Sequence, residues 1–161
     1  MNELTADRLR ELLHYDPETG VFTRRLKRGG YAAGSRVGYT APDGRVLVSV
    51  DNKNFRAHRL VWLYVHGEWP SNDVDHINGD PSDNRLCNLR DVPHMVNLQN
   101  RVRPTRANRH GLIGVTKNHD RFMAQIKIDG RRVYIGTYDT PEEASAAYLE
   151  AKRKHHPGCT I

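Results

Sequence analysis

Apolar residues recur along this chain with two different periods, and the points where the period changes divide it into elements. Leu9, Leu12 and Leu13 follow Thr5-Ala6-Asp7-Arg8 at helical spacing, which predicts a helix opening after Thr5, whose hydroxyl can accept from first-turn amides. Asp16-Pro17-Glu18-Thr19-Gly20 supplies the turn residues that end it. Val21 to Thr23 and Val46 to Val50 read as short strands. Asp43-Gly44 is a hairpin turn and Asp51-Asn52 a second break, so 20–57 is expected to be a small curved β-meander. His58 to His66 is apolar nearly all round and predicts a buried helix stopped by Gly67 and Pro70, read as core rather than chemistry.

Val74-Asp75-His76-Ile77 is next a short strand, Asn78-Gly79 a tight turn, 84–88 a polar loop, and Leu89-Arg90 a return strand. Pro93 suits the first turn of a helix, where its missing N–H costs nothing. On that helix Met95, Leu98 and Val102 share one face, leaving His94, Asn97 and Arg101 on another. The expectation is a β-β-α unit whose polar helical face looks back at Asp75 and His76. Further on, Phe122 to Ile128 and Arg131 to Tyr138 alternate in period two around Asp129-Gly130, a hairpin signal. Ala124, Ile126, Ile128, Val133 and Ile135 point one way, Met123, Gln125, Lys127, Arg132 and Tyr134 the other. Thr140-Pro141-Glu142-Glu143 has the form of a capping box, and its helix offers Ala144, Ala147, Tyr148 and Ala151 to the sheet's apolar side. The basic and polar face of the sheet is then left free.

The fold class is accordingly α+β. With 161 residues and 37% hydrophobic residues, two small units are a better fit than one large core. A net charge of +6 favours a polyanionic partner, and 101–110 concentrates it with four arginines and no acid. Cys87 and Cys159 stand far apart in no CxxC pair, which excludes a disulfide framework and a four-cysteine zinc site. No long uncharged apolar run occurs, so the chain is expected to be soluble and cytoplasmic, not secreted, without a membrane partner.

Asp75-His76, Asn88-Leu89-Arg90 and Asn97 carry the candidate chemistry. Phosphodiester hydrolysis needs a base for water and a cation that stabilises the phosphorane and the leaving 3′ oxygen. Imidazole is mostly neutral at pH 7, so His76 is the candidate base. Asp75 and the Asn97 amide are oxygen donors suited to a hard ion, Mg²⁺ or Mn²⁺, one per site. Asn88 is the candidate structural brace that holds His76 in position. Asp80 and Asp83 rank lower as ligands because turn chemistry after Asn78-Gly79 already accounts for them.

This ordered set, with His58-Arg59-Leu60-Val61-Trp62 and Asp83-Asn84-Arg85-Leu86 around it, resembles the HNH homing and phage endonucleases of the ββα-metal fold, in the variant ending in Asn rather than His. The resemblance runs from about 57 to 101. It implies His76 as general base, Asp75 and Asn97 as metal ligands, Asn88 as structural, and products with 5′-phosphate and 3′-hydroxyl ends. A phage-borne or intron-borne source, with the host cytoplasm as its place of action, is implied in the same way.

Gly114-Val115, 121–126, 132–138 and 143–148 resemble the AP-two/ethylene-response-factor DNA-binding domain, a three-stranded sheet packed on one helix that lays the sheet in the major groove. Carried over by position, Gln125, Lys127, Arg132 and Tyr134 fall where that family contacts DNA. Ile113, Thr116 and Asn118 replace residues that are usually basic in plant members, so base specificity does not transfer; Lys117, Arg121 and Arg131 could supply some of that charge. Arg101, Arg103, Arg106 and Arg109 would track phosphates between the units. The expected organisation is an N-terminal helix and meander (1–57), an HNH ββα-metal nuclease core (58–101), a basic linker (102–110) and a DNA-reading domain (111–161). The function expected is a metal-dependent, site-recognising DNA endonuclease acting on double-stranded DNA as a monomer or weak homodimer. The rival from another class is a DNA-binding regulator with an inactive HNH half; a nuclease acting on RNA is a third.

Overall fold

Thr5 opens the first helix as its side chain suggests, accepting from the Arg8 amide at 3.3 Å, and α1 runs Ala6–Leu12. These coordinates are a computed structural model describing residues 4–101, 104 and 111–160, and the chain divides into two units, residues 1–93 and 94–161. Leu13 departs from the helical stripe expected of it: its backbone is extended and it begins β1, Leu13–Asp16, where Leu13 and Tyr15 are buried on alternate positions. The period had changed from helix to strand one residue earlier than the leucine spacing suggested. Asp16 to Gly20 is therefore a hairpin turn, with the Asp16 carboxylate accepting from the Glu18 amide and the Thr19 hydroxyl, leading into β2, Val21–Arg24.

The expected meander is two three-stranded antiparallel sheets. One is β1-β2-β3, with β3 at Arg36–Val37; the other is β4 (Tyr39–Thr40), β5 (Val46–Val50) and β6 (Lys53–Arg56) in that order. Gly38 joins them at φ 108, where a Cβ would stand 2.9 Å from the Leu47 carbonyl oxygen, so the corner excludes any side chain. Helix α2, Ala57–His66, lies in the same core, and left-handed Gly67 closes it by donating its N–H to Leu63 O. Leu9, Phe22, Val48, Leu60, Val61 and Leu63 form the most buried part, each large side chain contributing about 1.5–3 kcal/mol. Next, β7 (Asp73–His76) pairs antiparallel with β8 (Leu89–Val92), and residues 77–88 connect them through a single 3-10 turn at Leu86–Asn88.

In the second unit α3 spans His94–Gln99, and β9 (Val115–Asn118), β10 (Arg121–Ile128) and β11 (Arg131–Tyr138) form a sheet of order β11-β10-β9 against α4, Pro141–His155. The capping box is formed in both directions: the Glu143 amide donates to Thr140 Oγ1 and the Thr140 amide to Glu143 Oε2. Val115, Ala124 and Ala144 are its buried centre, with Phe122, Ile135 and Tyr148 packed on them. Gly114, at φ 76, lies so close to the Tyr148 ring that a Cβ would come within 2.0 Å of it. A bulge interrupts the hairpin: Gln125 pairs with Tyr134 but Ala124 with Gly136, leaving Ile135 as the extra residue. Val133, expected in the apolar set, pairs with Ile126 yet stays 41% exposed at the hairpin end of the sheet.

Helix α3 also departs from expectation. It buries none of its residues, and Met95 and Leu98, expected to form its packing face, are 58% and 46% exposed. Six residues are too few to bury a stripe, and polar tethers from the C-terminal segment hold the helix instead. Lys152 Nζ donates to Arg101 O at 2.5 Å, the Gly158 amide to Gln99 Oε1 at 3.1 Å, and the Thr160 hydroxyl to Asn100 Oδ1. Val102, on the same expected face, lies outside the described residues.

Candidate active site

Antiparallel pairing decides which side chains meet on the β7–β8 hairpin. His76 stands opposite Leu89, so Asp75 stands opposite Arg90, and directly opposed residues project to the same side. Arg90 Nε and Nη2 both donate to Asp75 Oδ2, at 3.0 and 2.8 Å. The carboxylate is 8% exposed, so this charged pair, and not solvent, sets its orientation.

His76 is 8% exposed as well, more enclosed than a freely solvated base. Its Nε2 lies 3.4 Å from Asn84 Oδ1. The Asn84 amide nitrogen donates to Ser82 O at 3.0 Å, which fixes Oδ1 as the acceptor facing the imidazole. The Asn84 backbone oxygen accepts from the Tyr15 hydroxyl at 2.9 Å. Gly20 lies flat against the same backbone, where a Cβ would come 2.6 Å from Asn84 C and Arg85 N. On the other side the ring of His58 meets that of His76 edge-on, with centroids 5.0 Å apart and planes at 80°. His58 is 4% exposed, and its Nδ1 has no hydrogen-bond partner among the described residues.

Electrostatics keep both imidazoles neutral. Burial, reinforced by His76 and by Arg45, Arg56 and Arg59, pushes the His58 pKa down to about 3. Burial also lowers the His76 pKa, opposed by the hydrogen bond to Asn84 and the charge of Asp75.

Asn88 joins the two ends of the connecting loop. Its Oδ1 accepts from the Asn78 amide at 2.9 Å, while Nδ2 donates to Asn78 Oδ1 at 3.0 Å and Asp83 O at 2.9 Å. The loop's other acids serve its turns: Asp80 accepts from the Ser82 amide and hydroxyl, and Asp83 takes Arg85 and Asn78, its pKa lowered to about 2 chiefly by Arg85. Asn97 stands half-buried on α3, in the other unit. Among the described residues no group of three or more His, Cys, Asp or Glu side chains is gathered as a metal cluster.

On the second unit's sheet, pairing separates the expected DNA-binding residues. Gln125 pairs with Tyr134 and Lys127 with Arg132, all on the side opposite buried Ala124 and Ile126, and Arg121 joins them by alternation along β10. The Tyr134 hydroxyl meets Thr137 Oγ1 at 2.8 Å, and Arg121 pairs with Asp139 at 2.9 Å. Lys117 is the exception: it pairs with Phe122 and projects to the helix-bearing side, while Thr116 and Asn118 project to the free face. Its neighbours in sequence gave no register, so that inversion was not readable from them. Arg101 is exposed; Arg103, Arg106 and Arg109 lie outside the described residues.

Three side chains at the site were not singled out from sequence. His58 lies on the helix expected to be buried core, as it is, and its ring also meets that of His76. Arg90 and Asn84 were read only as flanking residues. Strand pairing was the signal for Arg90, since a return strand starting at Leu89 opposite His76 brings it across from Asp75.

The hairpin thus sets a buried imidazole beside an oriented carboxylate, with one asparagine pinning its loop. Residues 55–99, the segment carrying Asp75, His76, Asn88 and Asn97, match the family model described as HNH endonuclease. The chain is also similar to a solved structure described as DNA binding and cleavage by the HNH homing endonuclease I-HmuI, at 21% identity and a TM-score of 0.44, over 91% of this chain and 88% of that one. No curated protein sequence matches it.

Proposed function

We propose that this chain is a divalent-metal-dependent DNA endonuclease, leaving 5′-phosphate and 3′-hydroxyl ends, with its second unit holding duplex DNA. The observation that carries the reading is the coincidence of the HNH endonuclease match over 55–99 with a buried, neutral His76 beside Asp75. His76 accepts the proton of a water whose oxygen attacks phosphorus, and the bond to the 3′ oxygen breaks, that oxygen taking a proton from solvent water to leave as the hydroxyl. Asn84 and Asn88 hold the loop that orients the ring, and Arg90 orients Asp75.

HNH nucleases generally depend on a divalent metal. The donor set fits a hard ion: Asp75 offers a carboxylate whose Oδ2 is already oriented by Arg90, Asn97 offers an amide oxygen, and neither donor is a thiolate. The resemblance to HNH endonucleases assigns Mg²⁺ or Mn²⁺ to Asp75 and Asn97, and the ion when bound would stabilise the charge on the phosphorane and the leaving oxygen. The second unit's free face, with Arg121, Gln125, Lys127, Arg132 and Tyr134, has the composition of a duplex reader, and the resemblance to the AP-two/ethylene-response-factor domain supports a major-groove role for it.

Plasmid nicking with Mg²⁺ and with EDTA, for wild type and His76→Ala, tests the proposal. Cleavage should require the metal and fall on the order of 10²–10⁴-fold in the variant. Wild-type protein that leaves supercoiled plasmid intact across metals and target libraries, while still binding DNA, would establish the regulator reading instead.

A further inference from the structure

Residues 55–99 match the HNH model, yet the chain divides after residue 93, so the last motif residue, Asn97, stands on a helix that belongs with the second unit. That helix cannot hold itself. It buries none of its residues, and so short a helix gains too little from its own backbone bonds to persist alone. What fixes it comes from the far end of the chain. Lys152, in the last turn of α4, is 1% exposed, and burial lowers its pKa. An apolar side chain would fill that space without desolvating an ammonium, but the ammonium is aimed at Arg101 O, just past α3. Beyond α4 the chain turns back, the His156 amide donating to Lys152 O and the Cys159 amide to His156 O. This turn brings the Gly158 amide to Gln99 Oε1 and the Thr160 hydroxyl to Asn100 Oδ1. A Cβ on Gly158 would stand 2.2 Å from Val96 O, and His156 Nε2 donates to Lys127 O at 2.8 Å, tying the turn to β10.

We propose that residues 152–160 form a clasp that positions Asn97: Lys152, Gly158 and Thr160 set where α3 stands within the second unit, and with it the amide oxygen that the HNH resemblance assigns to the metal. The three contacts fall on consecutive residues, Gln99, Asn100 and Arg101, within four positions of Asn97. Asn97 O itself accepts from the Asn100 amide at 3.1 Å, so a displacement of Asn100 passes directly to the Asn97 backbone. None of the clasp residues meets substrate or metal in this scheme. The segment that places one donor of the HNH motif then lies outside the matched residues, at the end of the unit that carries the β9–β11 sheet. The anchoring of α3 stands on these contacts alone, whereas its effect on metal affinity rests on the reading of Asn97 as a donor.

Amide hydrogen exchange of the full chain without metal reads the anchoring. Paramagnetic broadening of the Asn97 side-chain amide signals by Mn²⁺, assigned with Asn97→Asp, reads the metal. Thr160→Val, Lys152→Met and Gly158→Ala should each speed exchange across 98–101 by at least about fivefold, with the β10–β11 hairpin keeping its protection. Each should also raise the Mn²⁺ concentration for half-broadening, and the Mg²⁺ concentration for half-maximal single-turnover cleavage, by at least about threefold. The rate at saturating Mg²⁺ should stay within about twofold of wild type, and DNA affinity in EDTA should not change. Thr160→Ser keeps the hydroxyl and should behave as wild type. A merely structural role would lower the amount of active protein and leave the metal midpoints in place. Exchange at α3 unmoved in Thr160→Val, or metal midpoints unmoved where exchange has risen, overturns the proposal. Thr160 is exposed, so that variant decides if Lys152→Met does not fold. If exchange responds as stated but Mn²⁺ never reaches the Asn97 amide and the wild type cuts no DNA with any metal, the metal-dependent reading fails and the anchoring of α3 stands.

Discussion

Acid charges an imidazole that the fold keeps neutral, and His58 is where the cost should be measurable. The ring is 4% exposed and its pKa is pushed down to about 3, first by burial, with three arginines adding to it. In the unfolded chain the same group titrates near 6.5. Between those values the unfolded state binds more protons than the folded one, so stability rises with pH there. The contribution of His58 is complete above about pH 6.5 and is progressively lost as pH falls toward 3. From pH 7.5 to 5.0 the loss is about 1.5 pH units at about 1.4 kcal/mol each, or about 2 kcal/mol. Urea unfolding followed by tryptophan fluorescence measures it, because both tryptophans, Trp62 and Trp69, belong to the first unit. His58→Phe removes the titrating group and keeps an aromatic ring. Carboxylates remote from His58 titrate in both proteins, so their effects largely cancel in the difference. Wild type should lose about 2 kcal/mol more than His58→Phe over this pH interval. Losses equal to within about 0.5 kcal/mol would mean that His58 is not held neutral, and the reasoning from its burial would be wrong.

Three further outcomes are expected. Because a protonated imidazole cannot accept a proton and burial lowers the His76 pKa, the acid limb of single-turnover cleavage should have its midpoint below the ordinary value of about 6.5; a midpoint above 7 or a flat profile would count against His76 as base. Asn88→Ala breaks three hydrogen bonds across the connecting loop and should destabilise the first unit by about 1–3 kcal/mol, read by the same urea titration, with a change under about 0.5 kcal/mol refuting the brace. Gly114→Ala drives a methyl group into the Tyr148 ring from a left-handed backbone and should cost the second unit more than about 2 kcal/mol by thermal melting. Gly29→Ala, also at positive φ but with nothing within 4 Å, should cost clearly less.

Local chemistry was legible in the residues where a single element decides it. The Thr140 capping box, the Asp129-Gly130 turn and the Gly67 helix stop all depend on neighbours a few positions away, and each forms. Positions whose role depends on a distant partner were not. Leu13 looks helical because Leu9 and Leu12 precede it, but its partner is Arg24 across a sheet. Lys117 looks like a DNA contact because it is a lysine in a basic stretch, yet its side is set by pairing with Phe122. At the site, the Asp75-His76 pair and Asn88 could be found from spacing alone. His58 is 18 residues from His76 on a different element, and only the packing of α2 against the hairpin joins them.

The Tyr15 hydroxyl and the bare face of Gly20 both terminate on Asn84, which places the β1–β2 hairpin behind the His76 loop like a splint. The family match begins only at residue 55, after that hairpin has been left behind. An excised nuclease module cut at the matched boundary would therefore carry every residue of the motif and lose the stop against which that loop rests. Grafting or truncation of the matched segment has to carry the β1–β2 hairpin along with it.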